Sequence, residues 1–395
     1  MKMWKKLILI LVVFAGCKKP YFPSVIASSN SYLVVEGIIN NGADSTIIKL
    51  TRTTNLSNKK TLVPELHAVV TVESNQNTVY PVKETKNGYY GSAGLNLNNN
   101  LQYRLRIKTS NNQEYLSDFV AVINSPPIDS INFTISNNGI NLFANTHDAT
   151  NKVKYYRWDF KETWIFHSNY QSAFKQRGDS IYPRDLMNDN IYNCWGNDTS
   201  ANILLGSSAK LAQDVIASNP LTFIPSYSEK LGNEYSVEVQ QYALSGDAYS
   251  FWSNLKKNTE QLGSIFDAEP SQINGNIHCI TNPLLPVIGY ISVGATTKQR
   301  IFIRRTQLPH WETTRAYPGC SLDTFLYKYY PPDQKIPVDQ VTTILAYHNK
   351  NFYPTTPVDA VQPPGGPILG YSGASIECVD CTLRGTNKLP AFWQY

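Results

Sequence analysis

Charge is what this sequence has least of. Asp, Glu, Lys and Arg make up 16% of its 395 residues, against about 25% in an ordinary globular chain. With 35 basic and 30 acidic side chains there is no electrostatic case for binding nucleic acid. Past the N-terminus no apolar run approaches the ~20 residues that a membrane-spanning helix needs. The common catalytic signatures are missing as well: there is no G-x-S-x-G elbow, H-E-x-x-H, Walker loop or G-x-G-x-x-G. Six histidines, at 67, 147, 167, 278, 310 and 348, stand singly, none at metal-ligand spacing from another. His147-Asp148 reads as a turn rather than a dyad. The expectation is therefore a protein without enzymatic activity, metal or cofactor.

What is present begins with an export signal. Lys2, Lys5 and Lys6 form a basic start, Leu7 to Phe14 is a continuous apolar run, and Ala15-Gly16 places two small residues before Cys17. The apolar run is far too short to span a bilayer, so residues 1–16 read as a cleaved signal peptide. A cysteine after two small residues is the cleavage context of lipoprotein signal peptidase, which makes Cys17 the lipidation site. Several acyl chains on one residue suffice for stable anchoring. Removing residues 1–16 takes three lysines and no acid, lowering the formal charge from +5 to +2. Residues 17–30, polar and broken by proline, form a lipidated tether.

From residue 31 the pattern is that of strands. Tyr32–Ile39, Ser45–Leu50, His67–Val72, Thr78–Val82 and Leu101–Lys108 follow one another with Asn/Gly turns between them. That spacing predicts an immunoglobulin-like β-sandwich over 31–125, closed by Ser125-Pro126-Pro127, because prolines cannot sit inside a ladder. Residues 126–395 are read as a larger β-rich domain with a few helices. The clearest of these runs over about 245–262, with Ser245 as its cap and Ala248, Phe251, Trp252, Leu255 and Leu262 on one face. Ser207–Ala217 also has helical spacing. The regions Asn169–Asn202 and Tyr317 onward read as loops. The fold class is thus mainly β, and 25 tyrosines suit strand surfaces.

With Cys17 acylated, Cys194, Cys279, Cys320, Cys378 and Cys381 remain. Cys378-x-x-Cys381 lacks the second pair that zinc requires and the strand-to-helix context of redox motifs. In an oxidising compartment it reads as a disulfide staple for the C-terminus. Cys194 and Cys320 are the expected partners, with the connectivity open, and Cys279 is the odd thiol. Candidate ligand-binding aromatics are Trp164, Trp195, Trp311 and the cluster Tyr327, Tyr329 and Tyr330. A hydrolase would need two buried carboxylates in an aromatic-lined pocket, for which residues 169–202 and 306–340 are the places to look.

The ordered landmarks resemble a known family. They are the lipid cysteine, Leu33-Val-Val-Glu-Gly37, Pro127-Ile-Asp129, Cys194-Trp195 and Tyr249-Ser-Phe-Trp252. Gly263-Ser-Ile-Phe-Asp267, Asn282-Pro283 with Val287-Ile-Gly-Tyr290, and Arg300-Ile-Phe-Ile303 continue the series, and Cys378-Val-Asp-Cys381, Arg384-Gly-Thr386 and Pro390-Ala-Phe-Trp393 close it. In this order they resemble Bacteroidota lipoproteins catalogued as domain of unknown function 4249. The resemblance implies an outer-membrane lipoprotein that works beside a TonB-dependent transporter in nutrient uptake. It supplies no catalytic residues. An adhesion or matrix lipoprotein is the alternative reading. Lys18-Lys19 departs from the acidic residues that direct such lipoproteins to the cell surface, so the exposed face of the membrane stays open.

Overall fold

In the computed structural model the described residues are 31–54, 62–260, 275–314, 316–346, 352–359 and 367–394. The signal peptide, Cys17, the tether, and Leu262 with Gly263–Asp267 lie outside them.

The first unit opens with β1 (Leu33–Ile38), β2 (Thr46–Arg52), β3 (Val63–Pro64), β4 (Val69–Ser74) and β5 (Val79–Lys86). It continues with β6 (Tyr89–Ser92), β7 (Gln102–Lys108), β8 (Glu114–Ser117) and β9 (Val120–Ala121). Strand β7 shows why these residues become strands. Its alternation buries Tyr103, Leu105 and Ile107, while Arg104 and Arg106 point outward and share Glu73 of β4 at 2.8 and 2.5 Å. Strand β5 changes partner midway, its first half pairing with β4 and its second half with β6. The sheet thereby folds over into two layers around a core that includes Leu33, Ile48, Val72, Tyr90 and Leu105.

The second unit contains β10 (Ile128–Ser136), β11 (Gly139–His147), β12 (Tyr155–His167), β13 (Phe174–Arg177) and β14 (Ser180–Pro183). These are followed by β15 (Asn193–Thr199), β16 (Leu204–Ser207), β17 (Val215–Pro225) and β18 (Glu234–Leu244). A three-stranded sheet, β10-β11-β17, faces a second sheet built on β12 and β18, and Trp158, Tyr156, Tyr235 and Leu142 fill the space between them. Ser207–Ala217 is therefore not the helix its spacing predicts, but the end of β16, a turn and the start of β17. Ser208 and Tyr156 both donate to the buried carboxylate of Asp214, and this long-range bonding overrides local propensity. Asn169–Asn202 is likewise not a loop, since it carries the β13–β14 hairpin and β15.

Helix α1 (Gly246–Glu260) follows, with Ser245 Oγ accepting from the Ala248 N–H at 3.1 Å as its cap. The chain then returns to the first unit. Strand β19 (Ile277–Cys279) pairs with β8, and β20 (Val287–Gly289) pairs in parallel with β1. The first sandwich is therefore not confined to 31–125: Ile277, Cys279, Val287, Ile291 and Val293 belong to its core. Strand β21 (Thr297–Arg304) then crosses back to pair with β18.

The two sandwiches are joined by two chain crossings bonded to each other. Ile123 donates to Val293 O and Ser125 to Ala295 O, both at 2.9 Å, and Thr297 Oγ1 donates to Pro126 O at 2.9 Å. Gly294 is required here, because a Cβ would stand 1.9 Å from Ile123 O. Beneath this strap lies the side chain of Gln241, which is fully buried. It accepts from Trp158 Nε1 at 2.9 Å and donates to Pro126 O at 2.9 Å and Thr146 Oγ1 at 3.1 Å. Next to it, α1 packs Ala248 and Tyr249 with Leu244 and Tyr155 of the second sandwich and with Ile38 and Tyr290 of the first.

The remainder of the 126–395 region is not part of that sandwich. Strands β22 (Asp323–Leu326), β23 (Tyr353–Asp359) and β24 (Ile368–Ala374) form a sheet in the order β22-β24-β23. Helices α2 (Gln340–Ala346) and α3 (Ile376–Val379) accompany it. Val341, Leu345, Phe352 and Tyr371 make a small separate core, onto which Phe174 and Ile181 of the β13–β14 hairpin pack. The expected loop after Tyr317 is thus a third, C-terminal module.

Candidate functional site

The four cysteines expected to bridge are joined as Cys194–Cys381 and Cys320–Cys378, with Cα separations of 5.7 and 5.6 Å. Cys279 is a buried free thiol on β19. The neighbouring cysteines 378 and 381 therefore reach in different directions, one to the β15 edge of the second sandwich and one to the loop before β22. Tyr170 reinforces the second contact, donating its hydroxyl to Cys320 O at 3.1 Å and its N–H to Cys378 O at 3.0 Å.

Beyond Cys381 the chain crosses the outer face of the β12–β18 sheet. Trp195 and Thr386 exchange backbone hydrogen bonds at 2.8 and 3.0 Å. Trp393 then sets its ring edge-on to Trp195 at 6.1 Å and to Phe302 of β21 at 5.6 Å. The Arg300 guanidinium lies 3.5 Å from the centre of the Phe392 ring. Trp195 is left only 5% exposed and is a packing residue, not a ligand platform. Trp164 is covered too: Gly196 brings its backbone against the indole, where a Cβ would stand 2.5 Å away, and the Lys230 ammonium sits 5.1 Å from the ring centre. Trp311 packs onto the second sandwich core, and Arg305 donates to its carbonyl at 2.7 Å. Of the three expected tryptophans, Trp195 is buried and Trp164 and Trp311 are half-buried against the second sandwich.

The tyrosines differ. Tyr327, Tyr329 and Tyr330 are 37%, 38% and 59% exposed. Tyr327 donates its N–H to Leu369 O at 2.8 Å, and Tyr329 and Val338 exchange backbone hydrogen bonds at 2.9 and 2.8 Å. These pairings set exposed Leu369 and Val338 beside the rings, and Ile336, 78% exposed, occupies the loop between Tyr330 and Val338. The C-terminal module thus carries an apolar, aromatic surface rimmed by exposed Lys328, Asp333 and Lys335. Such a grouping of exposed apolar and aromatic side chains is the kind of patch that marks an interaction surface.

The regions suspected of hydrolysis do meet, at a cavity of about 480 Å³ lined by His167, Asn169, Tyr192, Glu229, Glu312 and Thr313. His167 and Tyr192 stack at 5.2 Å. The two carboxylates have other surroundings than catalysis requires. Arg384 clamps Glu229 through two 2.9 Å bonds, and Glu312 is exposed. The deeply buried carboxylates lie elsewhere and are bonded within the fold. Glu162 accepts from Tyr235 at 2.6 Å and from Lys230, and Asp214 accepts from Tyr156 and Ser208. Burial, reinforced by these carboxylates, pushes the Tyr156 and Tyr235 hydroxyls far above their ordinary range, so both stay protonated donors. Among the described residues no three His, Cys, Asp or Glu side chains gather to hold a metal ion.

Sequence reasoning missed Gln241 and Asp214. Their partners lie between 6 and 116 residues away, so no local motif flags them.

No curated protein matches this chain. Among solved structures, a two-domain fibronectin type-III segment of chicken tenascin is 11% identical, covering 54% of this chain and 91% of its own, with a TM-score of 0.15. A DUF4785 family protein from Legionella pneumophila is 8% identical, covering 53% of this chain and 52% of its own, with a TM-score of 0.19. The fold described above rests on the strand registers and not on these likenesses. The profile described as domain of unknown function DUF4249 matches residues 18–300. That match takes in well over half of the sequence, and the chain belongs to the DUF4249 family.

Proposed function

We propose that this protein is a non-enzymatic outer-membrane lipoprotein, anchored through Cys17, that serves a TonB-dependent transporter as an accessory or ligand-capture partner in nutrient uptake. The observation that carries this reading is the exposed surface of Tyr327, Tyr329, Tyr330, Ile336 and Val338 on the C-terminal module. Two disulfides tie that module to the body or within itself, so the surface is presented on a braced support. The buried carboxylates act as hydrogen-bond anchors inside the second sandwich, which also favours a binding role over a hydrolytic one. The transporter as partner follows from the family resemblance of the ordered motifs.

The test is affinity purification of the tagged protein from gently solubilised outer membranes, with co-purifying proteins identified by mass spectrometry. A stoichiometric barrel protein is expected. Tyr329→Asp/Tyr330→Asp should release the barrel without lowering the melting temperature. A solitary lipoprotein would overturn the reading and favour adhesion.

A further inference from the structure

A cavity of about 800 Å³ lies at the junction of the two sandwiches, between the strap, the His147–Tyr155 turn and the start of α1. Its size falls within the range of small-molecule sites, and domain junctions are where such sites concentrate. The strap residues Val122, Ile123, Pro126 and Pro127 form one wall that is held in place, because Val122, Ile123 and Pro126 pair with residues 293–297 and Gln241 while Pro127 O accepts from Thr146 Oγ1. Val153 and Leu244 face them, both buried. The cavity is therefore preformed and apolar along its sides.

Its lining carries two carboxylates, Asp129 and Asp148, and two ammonium groups, Lys152 and Lys154, which differ in how far the fold already engages them. Asp148 lines the cavity, but its oxygens already accept from the Thr150, Lys152 and Val153 N–H groups and from the Thr150 hydroxyl. Asp129 is paired with His147 at 2.8 Å. Lys152 and Lys154 also line the cavity; among the described residues neither sits in an ion pair, and Lys154 Nζ donates to the neutral Asn151 side chain. A purely apolar ligand would leave both ammonium charges unpaired, and a small inorganic anion would leave the apolar walls wet. We propose that the cavity binds a small organic carboxylate with an apolar body, its carboxylate at Lys152 and Lys154 and its body against Pro126, Pro127, Val153 and Leu244. This deepens the ligand-capture reading and rests on it for the role of the bound molecule, while the binding itself is a property of the isolated protein.

The test uses the full chain with Cys17→Ser, which removes the lipidation position and the need for detergent. Octanoate and phenylacetate serve as probes, octan-1-ol is the neutral control, and binding is read by ligand-observed NMR and calorimetry. Saturable one-to-one binding of a carboxylate is expected, with octan-1-ol bound more weakly. Lys152→Gln/Lys154→Gln should weaken the carboxylate by about tenfold and leave octan-1-ol unchanged. Ala149→Trp, at an exposed position on the rim, should block both. No saturable binding, equal affinity for acid and alcohol, or indifference to the lysine substitutions would each overturn the proposal. A solitary lipoprotein in the pull-down would leave a positive result here standing, so the two readings fail separately.

Discussion

Cys381 is bonded to Cys194, 187 residues before it, and not to Cys378, its near neighbour. The second bond, Cys320–Cys378, closes a separation of 58 residues. In the chain-entropy account the longer loop stabilises by up to about 5 kcal/mol and the shorter by up to about 4. Cys194→Ser/Cys381→Ser is therefore expected to lower the melting temperature more than Cys320→Ser/Cys378→Ser. The first pair should also red-shift tryptophan emission as Trp393 leaves the sheet. Calorimetry with fluorescence checks both, and the reverse order would show that local packing outweighs loop length.

Gln241 links the strap to the second core. In Gln241→Leu the indole N–H of Trp158 stays buried without an acceptor, Thr146 Oγ1 loses the Gln241 donor, and Pro126 O keeps only its bonds from hydroxyl groups such as Thr297. One such orphaned group costs about 1–3 kcal/mol. A loss of about 2–4 kcal/mol is expected in denaturant titration. A loss below about 1 kcal/mol would mean that water replaces the amide.

Gly294 tests the strap itself. Gly294→Val drives a side chain into Ile123 O and should separate the two crossings. Both sandwich cores should survive, while amide exchange rises at 122–126 and 293–297 and small-angle scattering shows a broader spread of sandwich orientations. An unchanged scattering curve would assign the rigidity to α1, which touches Ile38 and Tyr290 on the far side.

Asp148 supplies a pH signature. Burial works against its charge, but the N–H groups of Val153, Thr150 and Lys152 and the Thr150 hydroxyl outweigh it and hold the carboxyl at about 2. A lowered carboxyl pKa contributes stability that is complete above the ordinary value near 4 and is lost as pH falls toward 2. With allowance for solvent at this half-exposed turn, Asp148→Asn should cost on the order of 1–2 kcal/mol at pH 7. The gap between variant and parent should close between about pH 4 and pH 2. A gap that stays constant down to pH 2 would show that shape rather than charge sets the turn.

Much of the architecture is visible along the chain where a signal is local. Gln102–Lys108 alternates with period two and is strand β7, and Ser245 caps the helix that its apolar spacing predicts. Cys194, Cys320, Cys378 and Cys381 stand out as bridge formers because a lone Cys-x-x-Cys in a Gly- and Pro-rich tail suits neither zinc nor redox work. Ser207–Ala217 misleads for a physical reason: its helical spacing is genuine, but Asp214 is bonded to Ser208 and to Tyr156, which lies 58 residues away. Asn276–Ile280 and Val287–Val293 read as strands in the sequence and contain β19 and β20, but that these return to pair with β8 and β1 of the first sandwich depends on open edges there, which no window of sequence can register.

The aromatic residues draw the same line. Composition alone settles that this chain is β-rich, poor in charge and furnished with rings beyond what one core consumes, because those properties follow from residue types summed over the chain. Which rings remain free is a different matter. Trp195 and Tyr330 look alike as candidates in sequence, yet the tail ending in Trp393 covers the first and nothing among the described residues covers the second. That outcome depends on two disulfides and a crossing chain that bring together residues nearly two hundred positions apart, and contacts of that range exist only in the folded molecule.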